Sequence, residues 1–246
     1  MRRPSIALAG WLVALLAGAC MPLHVPAPAH VSLLPSKGRG QVGGQWGPQG
    51  LQLTGAYQAT DHLVLRGAAL AADLGFTPLR NSTRHYFQLT LGAGATVRHR
   101  GLRASINLDL AGASVDMTQQ TDIHGGIFTL SLADYEDGCP YCGHLGRYGV
   151  LWRTAAQADV GYFWDHVALG AAVIGAWEYF DGKSSLGEKL YQHVAVVQPA
   201  VFVRFGPRYL RGELQVGLWL QPWAKDLGEA EQTMPLVVSL GLVSEI

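Results

Sequence analysis

The 246 residues carry 18 lysines and arginines against 18 aspartates and glutamates, so the balance of charge points to no nucleic acid or other polyanionic partner. Charged residues make up only 15% while glycine, at 31 of 246, has nearly twice its usual share. Low charge, abundant glycine and no apolar run of about 18 residues beyond the N-terminal one argue against both an ordinary soluble enzyme and a helical membrane protein.

The chain opens MRRPSIALAGWLVALLAGAC, two arginines followed by an apolar run from Ile6 to Ala19 that is too short to span a bilayer as a helix. That pattern predicts a secretory signal peptide over 1–19. Its end, Leu16-Ala17-Gly18-Ala19-Cys20, resembles the lipobox of bacterial lipoproteins, with Ala17 where leucine is usual, which implies that Cys20 is acylated and becomes the new N-terminus. Met21, where an aspartate would retain a lipoprotein in the inner membrane, implies sorting to the outer membrane with the N-terminus periplasmic. Residues 20–37 are then expected to form a lipidated, Pro-rich, extended tether.

From residue 38 to 246 the dominant signal is alternation with period two, in segments long for a soluble protein. Candidate strands fall at about 38–47, 50–60, 62–74, 85–99, 102–117, 150–164, 167–180, 190–205, 209–223 and 234–245. In LRGELQVGLWLQP, Leu210, Gly212, Leu214, Val216 and Leu218 share one face while Arg211, Glu213 and Gln215 share the other. TDH (60–62), RHRG (98–101), WDH (164–166) and FGPRY (205–209) are tight turns, and between them stand longer polar links; GPQG is the short exception. Alternating short and long links predict an all-β, antiparallel, up-and-down transmembrane β-barrel of about ten strands with one long outer loop.

The two faces decide between a membrane barrel and a soluble lipocalin-like ligand-binding barrel, which would turn its apolar face inward and carry many Lys and Glu outside. The polar face here is Gln, Thr, Ser, Gly and Ala with isolated charges, which suits a crowded interior. Aromatics gather near both ends of the apolar face: Trp46, Phe87, Trp152, Trp177 and Tyr179 toward the outer side, Tyr57, Tyr162, Trp164 and Phe205 toward the periplasmic side.

The stretch HVSLLPSKGRGQV (30–42), followed by GAYQATDHL (55–63), resembles a group of lipoprotein-like outer-membrane β-barrels of Bacteroidota, in which a PLL-x-x-KGE-x-Q segment leads to an AYA-x-T-x-H segment. Arg39 stands at the acidic position and Gln58 at an alanine position. The resemblance covers residues 30–65 by motif, and it implies an outer-membrane barrel in contact with outer-membrane lipid while bringing no activity with it.

On this parity the inward charges are Arg66, Arg98, Arg103, Asp109, Arg153, Asp159, Glu178, Arg204, Arg211 and Glu213, among Gln52, Gln88, Gln157, Gln198 and Gln215. Unpaired interior charge is costly, so opposite charges are expected to meet across a lumen that ten strands leave narrow. A plugged barrel with a structural or interaction role is the expectation; a small-solute channel with a weak preference for anions is the alternative.

The outer loop from Thr118 to Gly149 holds Asp122, His124, Ser131, Asp134, Glu136, Asp137 and His144, but no spaced motif organises them into a catalytic or metal site, and neither an enzyme nor a cofactor is expected. Its GCPYCGH contains the CPYC tetrapeptide of glutaredoxins, in which the first thiol lies at a helix N-terminus. Here acidic residues stand just upstream and Gly143 and Gly146 downstream oppose a helix, so a Cys139–Cys142 disulfide at the loop tip is expected. The loop 118–149 is the expected surface for a protein partner.

Overall fold

The computed structural model describes residues 27–47, 50–73, 82–119, 147–184, 189–220 and 236–246. Ten antiparallel strands follow in chain order: β1 (Gly40–Gly47), β2 (Gly50–Gln58), β3 (Leu63–Asp73), β4 (Ser82–His99), β5 (Leu102–Gln119), β6 (Arg147–Phe163), β7 (Val167–Ser184), β8 (Lys189–Phe205), β9 (Arg211–Leu218) and β10 (Leu236–Glu245). Each pairs with its chain neighbours, and β1 pairs with β10 from Gln41↔Glu245 to Trp46↔Leu240, so the sheet closes into a barrel without edges. Backbone bonds between Gly40 and Ile246 seal the seam at 3.0 and 2.9 Å.

The turns at 60–62, 98–101, 164–166 and 205–209 lie at one end, which we call the turn end. Trp164 N–H bonds Val167 C=O at 2.8 Å, Ala59 N–H bonds Leu63 C=O at 2.9 Å, and Arg100 takes a left-handed conformation (φ 54°) between β4 and β5. The opposite, link end is uneven. Strands β4 to β8 run 17 or 18 residues, whereas β1 and β2 have 8 and 9, which makes the wall low on the side of the seam.

Alternation sorts side chains as the strand geometry requires. On β9 the burial runs strictly in and out, with Arg211, Glu213 and Gln215 buried and Leu214, Val216 and Leu218 exposed. The apolar face is therefore outside, the reverse of a lipocalin-like barrel. Leu91 is 73% exposed, and Ile106, Leu108 and Leu110 are each 67% exposed. Exposed Trp46, Phe87, Trp152 and Trp177 lie toward the link end, and Tyr57, Tyr162, Trp164 and Phe205 toward the turn end.

The interior holds one element that alternation in the barrel strands does not announce. Residues 27–34, assigned by sequence to a tether, are all buried: Ala29, Val31, Leu33 and Leu34 are 1% exposed and Ser32 is 0%. They pass through the barrel lumen before the chain bends at Gly38 (φ 77°) into β1. Val31 and Leu33 pack with Phe163, Phe202 and Trp219 against an apolar inner wall of Ala168, Ala172, Ile174, Val194 and Val196 on β7 and β8. The interior is thus polar on one side and apolar on the other.

Candidate functional site in the barrel lumen

Each inward charge is fixed by its strand position, and the wall brings most of them into three groups and a separate pair. Arg66 on β3 faces Gly92 on β4, which in turn faces Asp109 on β5. A Cβ at residue 92 would stand 1.9 Å from Asp109 Oδ1, so the missing side chain is what lets the guanidinium reach over β4. Arg66 donates from Nε to Asp109 Oδ1 at 2.8 Å and grips the second carboxylate oxygen as well. Asp159 lies 3.8 Å from the same guanidinium and accepts from Ser105 at 2.9 Å, Asn107 at 3.1 Å and Gln157 at 2.6 Å.

A second group joins Arg204 to Glu213, its ladder partner on β9, whose other oxygen accepts from Gln45 and, at 2.8 Å, from Gln215. In the third, Arg103 and Arg211 share Glu245 at 3.7 and 3.9 Å, and both guanidinium groups lie over the Phe163 ring, at 4.1 and 5.6 Å from its centroid. Arg153 and Glu178, facing one another on β6 and β7, form a further pair at 3.4 Å.

Opposite charges were expected to meet across the lumen; Arg103 on β5 and Glu245 on β10, on opposite sides of the ring, do so at the turn end, whereas the other pairs run along the wall beside residues 27–34. Arg66, Asp109, Arg153, Asp159, Glu178, Arg204, Arg211 and Glu213 are buried, and Arg103 is half-buried. Arg98 stands apart. One residue from the end of β4, it reaches the turn-end rim and bonds the Asp61 carbonyl at 2.8 Å, with the Asp61 carboxylate 3.6 Å away.

What the network holds is a stretch of backbone. Gln198 donates to the carbonyl of Ala27 at 2.9 Å, Gln215 to that of Ala29 at 2.8 Å, and Gln41 and Arg204 to that of Val31 at 2.9 and 2.8 Å. Arg66 and Gln157 donate to the carbonyl of His30 at 2.8 and 3.0 Å. The carbonyls of Ala27, Ala29 and Val31 thus turn to β8, β9 and β1 while that of His30 turns to β3 and β6, the alternation of an extended chain. Arg103 takes the carbonyl of Leu33 at 2.8 Å near the turn end. Every one of these donors is a side chain and every acceptor a main-chain oxygen, so the wall holds this stretch through its backbone.

A small cavity lies beside the thread. At about 40 Å³, and bordered by Ala27, Pro28, His30, Gln52, Arg66, Asp109 and Gln157, it has room for two or three waters. Among the described residues no three of His, Cys, Asp and Glu are grouped to hold a metal. Cys20, Cys139 and Cys142, and most of the link 118–149, lie outside the described residues.

Gln41, Gln58 and Glu245 are the functional residues that sequence parity could have supplied and did not. Gln58 donates to the carbonyl of Thr60 at 2.8 Å and to Thr96 Oγ at 3.0 Å, locking the turn against which the thread bends. The KGRGQ stretch therefore has a structural reading: Gly38 makes the bend, its N–H bonding Gln58 C=O at 2.9 Å, and Gln41 ties β1 back to Val31. No protein-family model and no curated protein matches the chain.

Proposed function

We propose that the chain is an outer-membrane β-barrel lipoprotein with a structural or interaction role, its lumen closed by its own polypeptide. The observation that carries this reading is the outer face. Trp152 and Tyr162 stand ten positions apart on β6, which at about 3.3 Å per residue and a tilt of about 40° separates them by about 25 Å, the height of a bilayer's apolar band in such barrels. Between such aromatic edges the exposed side chains of β4 to β7 are Leu, Val, Ile, Ala or Gly with Thr154, and β8 adds His193 and Pro199. Water would not tolerate so continuous an apolar belt, whereas hydrocarbon requires it.

The filled lumen favours a closed barrel over an anion-preferring channel. Acylation of Cys20, membrane lipid as the surrounding partner, and a Cys139–Cys142 disulfide stiffening a partner-binding loop complete the proposal. Its test is an outer-membrane fraction run boiled and unboiled on a denaturing gel, beside Cys20→Ala. A mobility shift on boiling, with acylation lost in Cys20→Ala, is the expected result; recovery in the soluble fraction without a shift would sink the reading.

A further inference from the structure

The direction of the thread decides on which side the chain before it emerges. Its anchors climb the wall in order. The carbonyl of Leu33 is held by Arg103, the second residue of β5, and that of Val31 by Gln41, the second of β1, and Arg204, the next to last of β8, all at the turn end. The carbonyl of Ala29 is held by Gln215, the fifth residue of β9, and that of Ala27 by Gln198, seven positions inside the end of β8. Apolar contacts agree: Leu34 packs with Ala56 and Val64 beside a tight turn, while Ala27 groups with Ala72, Tyr86, Val115, Leu151 and Phe180, near the link ends of their strands.

The cavity of about 40 Å³ beside Ala27 and Pro28 holds waters and not a second pass of polypeptide. Ala27 and Pro28 border the same cavity as Gln52 on β2 and Arg153 on β6, and the grouping of Ala27 with side chains near the link ends of β3 to β7 aims the chain toward the link end. Cys20 lies seven residues before Ala27, a reach of at most about 25 Å.

We propose that the N-terminal segment is threaded through the barrel, so that Cys20 and the lipid on it lie at the link end and insert into the leaflet on that side. The partner of this segment is thus the lipid surface around the long links, at the cell exterior, and not the periplasmic leaflet in which a simple tether would anchor. The inference rests on the membrane reading above. Bonded into β1 on one side and into lipid on the other, the thread is captive and the lumen stays closed.

The test places one epitope after Leu23 and, in a second protein, the same epitope after Pro207 in a tight turn, and measures antibody binding to whole and permeabilised cells. The Leu23 epitope is expected to bind equally in both, and the Pro207 epitope only after permeabilisation. Where the insertion blocks assembly, His24→Cys in a Cys139→Ser, Cys142→Ser background, labelled with a membrane-impermeant maleimide, gives the same readout. In that background Ala29→Cys with Gln215→Cys should cross-link, reporting a seated thread. A Leu23 epitope hidden until permeabilisation, or absence of the cross-link in an inserted barrel, overturns the threading. Recovery of the protein in the soluble fraction is a separate result and overturns the membrane reading together with the inference built on it.

Discussion

Arg66 is held on three sides: by Asp109, by Asp159 and by the carbonyl of His30. Removing such a partner leaves a carboxylate buried without its counter-charge, which typically destabilises by about 3–5 kcal/mol. Arg66→Ala should therefore lower the urea midpoint of the vesicle-folded barrel by a corresponding amount, and Arg66→Lys should fall between, since an ammonium cannot reproduce the planar fork. Gly92→Ala tests the same contact from the strand between them. Its Cβ would meet the Asp109 carboxylate at 1.9 Å and the Leu108 carbonyl at 2.8 Å, whereas at Gly175 a Cβ meets nothing within 4 Å. The first substitution should lower the midpoint and the second leave it unchanged. Sequence parity put Arg66 and Asp109 inside; that a glycine between them makes the contact was not legible, because GAGATVR shows only that alternate side chains are small.

At the scale of the element, the strands and the thread differ in how they are encoded. A strand buries one face, so its residue types alternate, and the expected segments agree with β1 to β8 and β10 to within about four residues at each end. β9 ends at Leu218, earlier than expected, with Leu220 adding an isolated bridge to Val197. The thread is held through its carbonyls, which every residue possesses, and its proline-rich sequence therefore resembles a free linker. Deleting residues 27–34 while keeping Cys20 to Pro26 should give a barrel that conducts in planar bilayers with a preference for anions, since Arg66, Arg103 and Arg204 lose the carbonyls they now hold. The intact protein should show no steady conductance. Equal silence from the deletion variant would mean that the wall side chains close the lumen unaided.

At the scale of the molecule, the proposed environment can be probed from outside. Leu108 stands in the middle of the apolar belt and Trp46 at its link-end edge. In a bilayer, Leu108→Arg should cost about 2–4 kcal/mol and Trp46→Arg no more than about 1 kcal/mol from the charge itself, a dependence on depth readable from folding titrations in vesicles. A water-exposed face would show neither, because surface substitutions there stay within about 0.5 kcal/mol. The low wall at β1 and β2 belongs to this scale as well. GPQG is a short link among long ones, and only the closed barrel shows that it sits where β1 and β2 make the wall low beside the seam.

By itself the sequence determined the number of strands, the placement of the turns and the sign of each face. These follow from backbone geometry that repeats every two residues and is written within each segment. Tertiary structure alone decided which charges meet and what fills the barrel. Arg204 with Glu213, Arg66 with Asp109, and Arg103 with Glu245 depend on the stagger of neighbouring strands and on closure of β1 against β10, which no single segment carries. The path of residues 27–34 depends on an interior that exists only once the ring has closed.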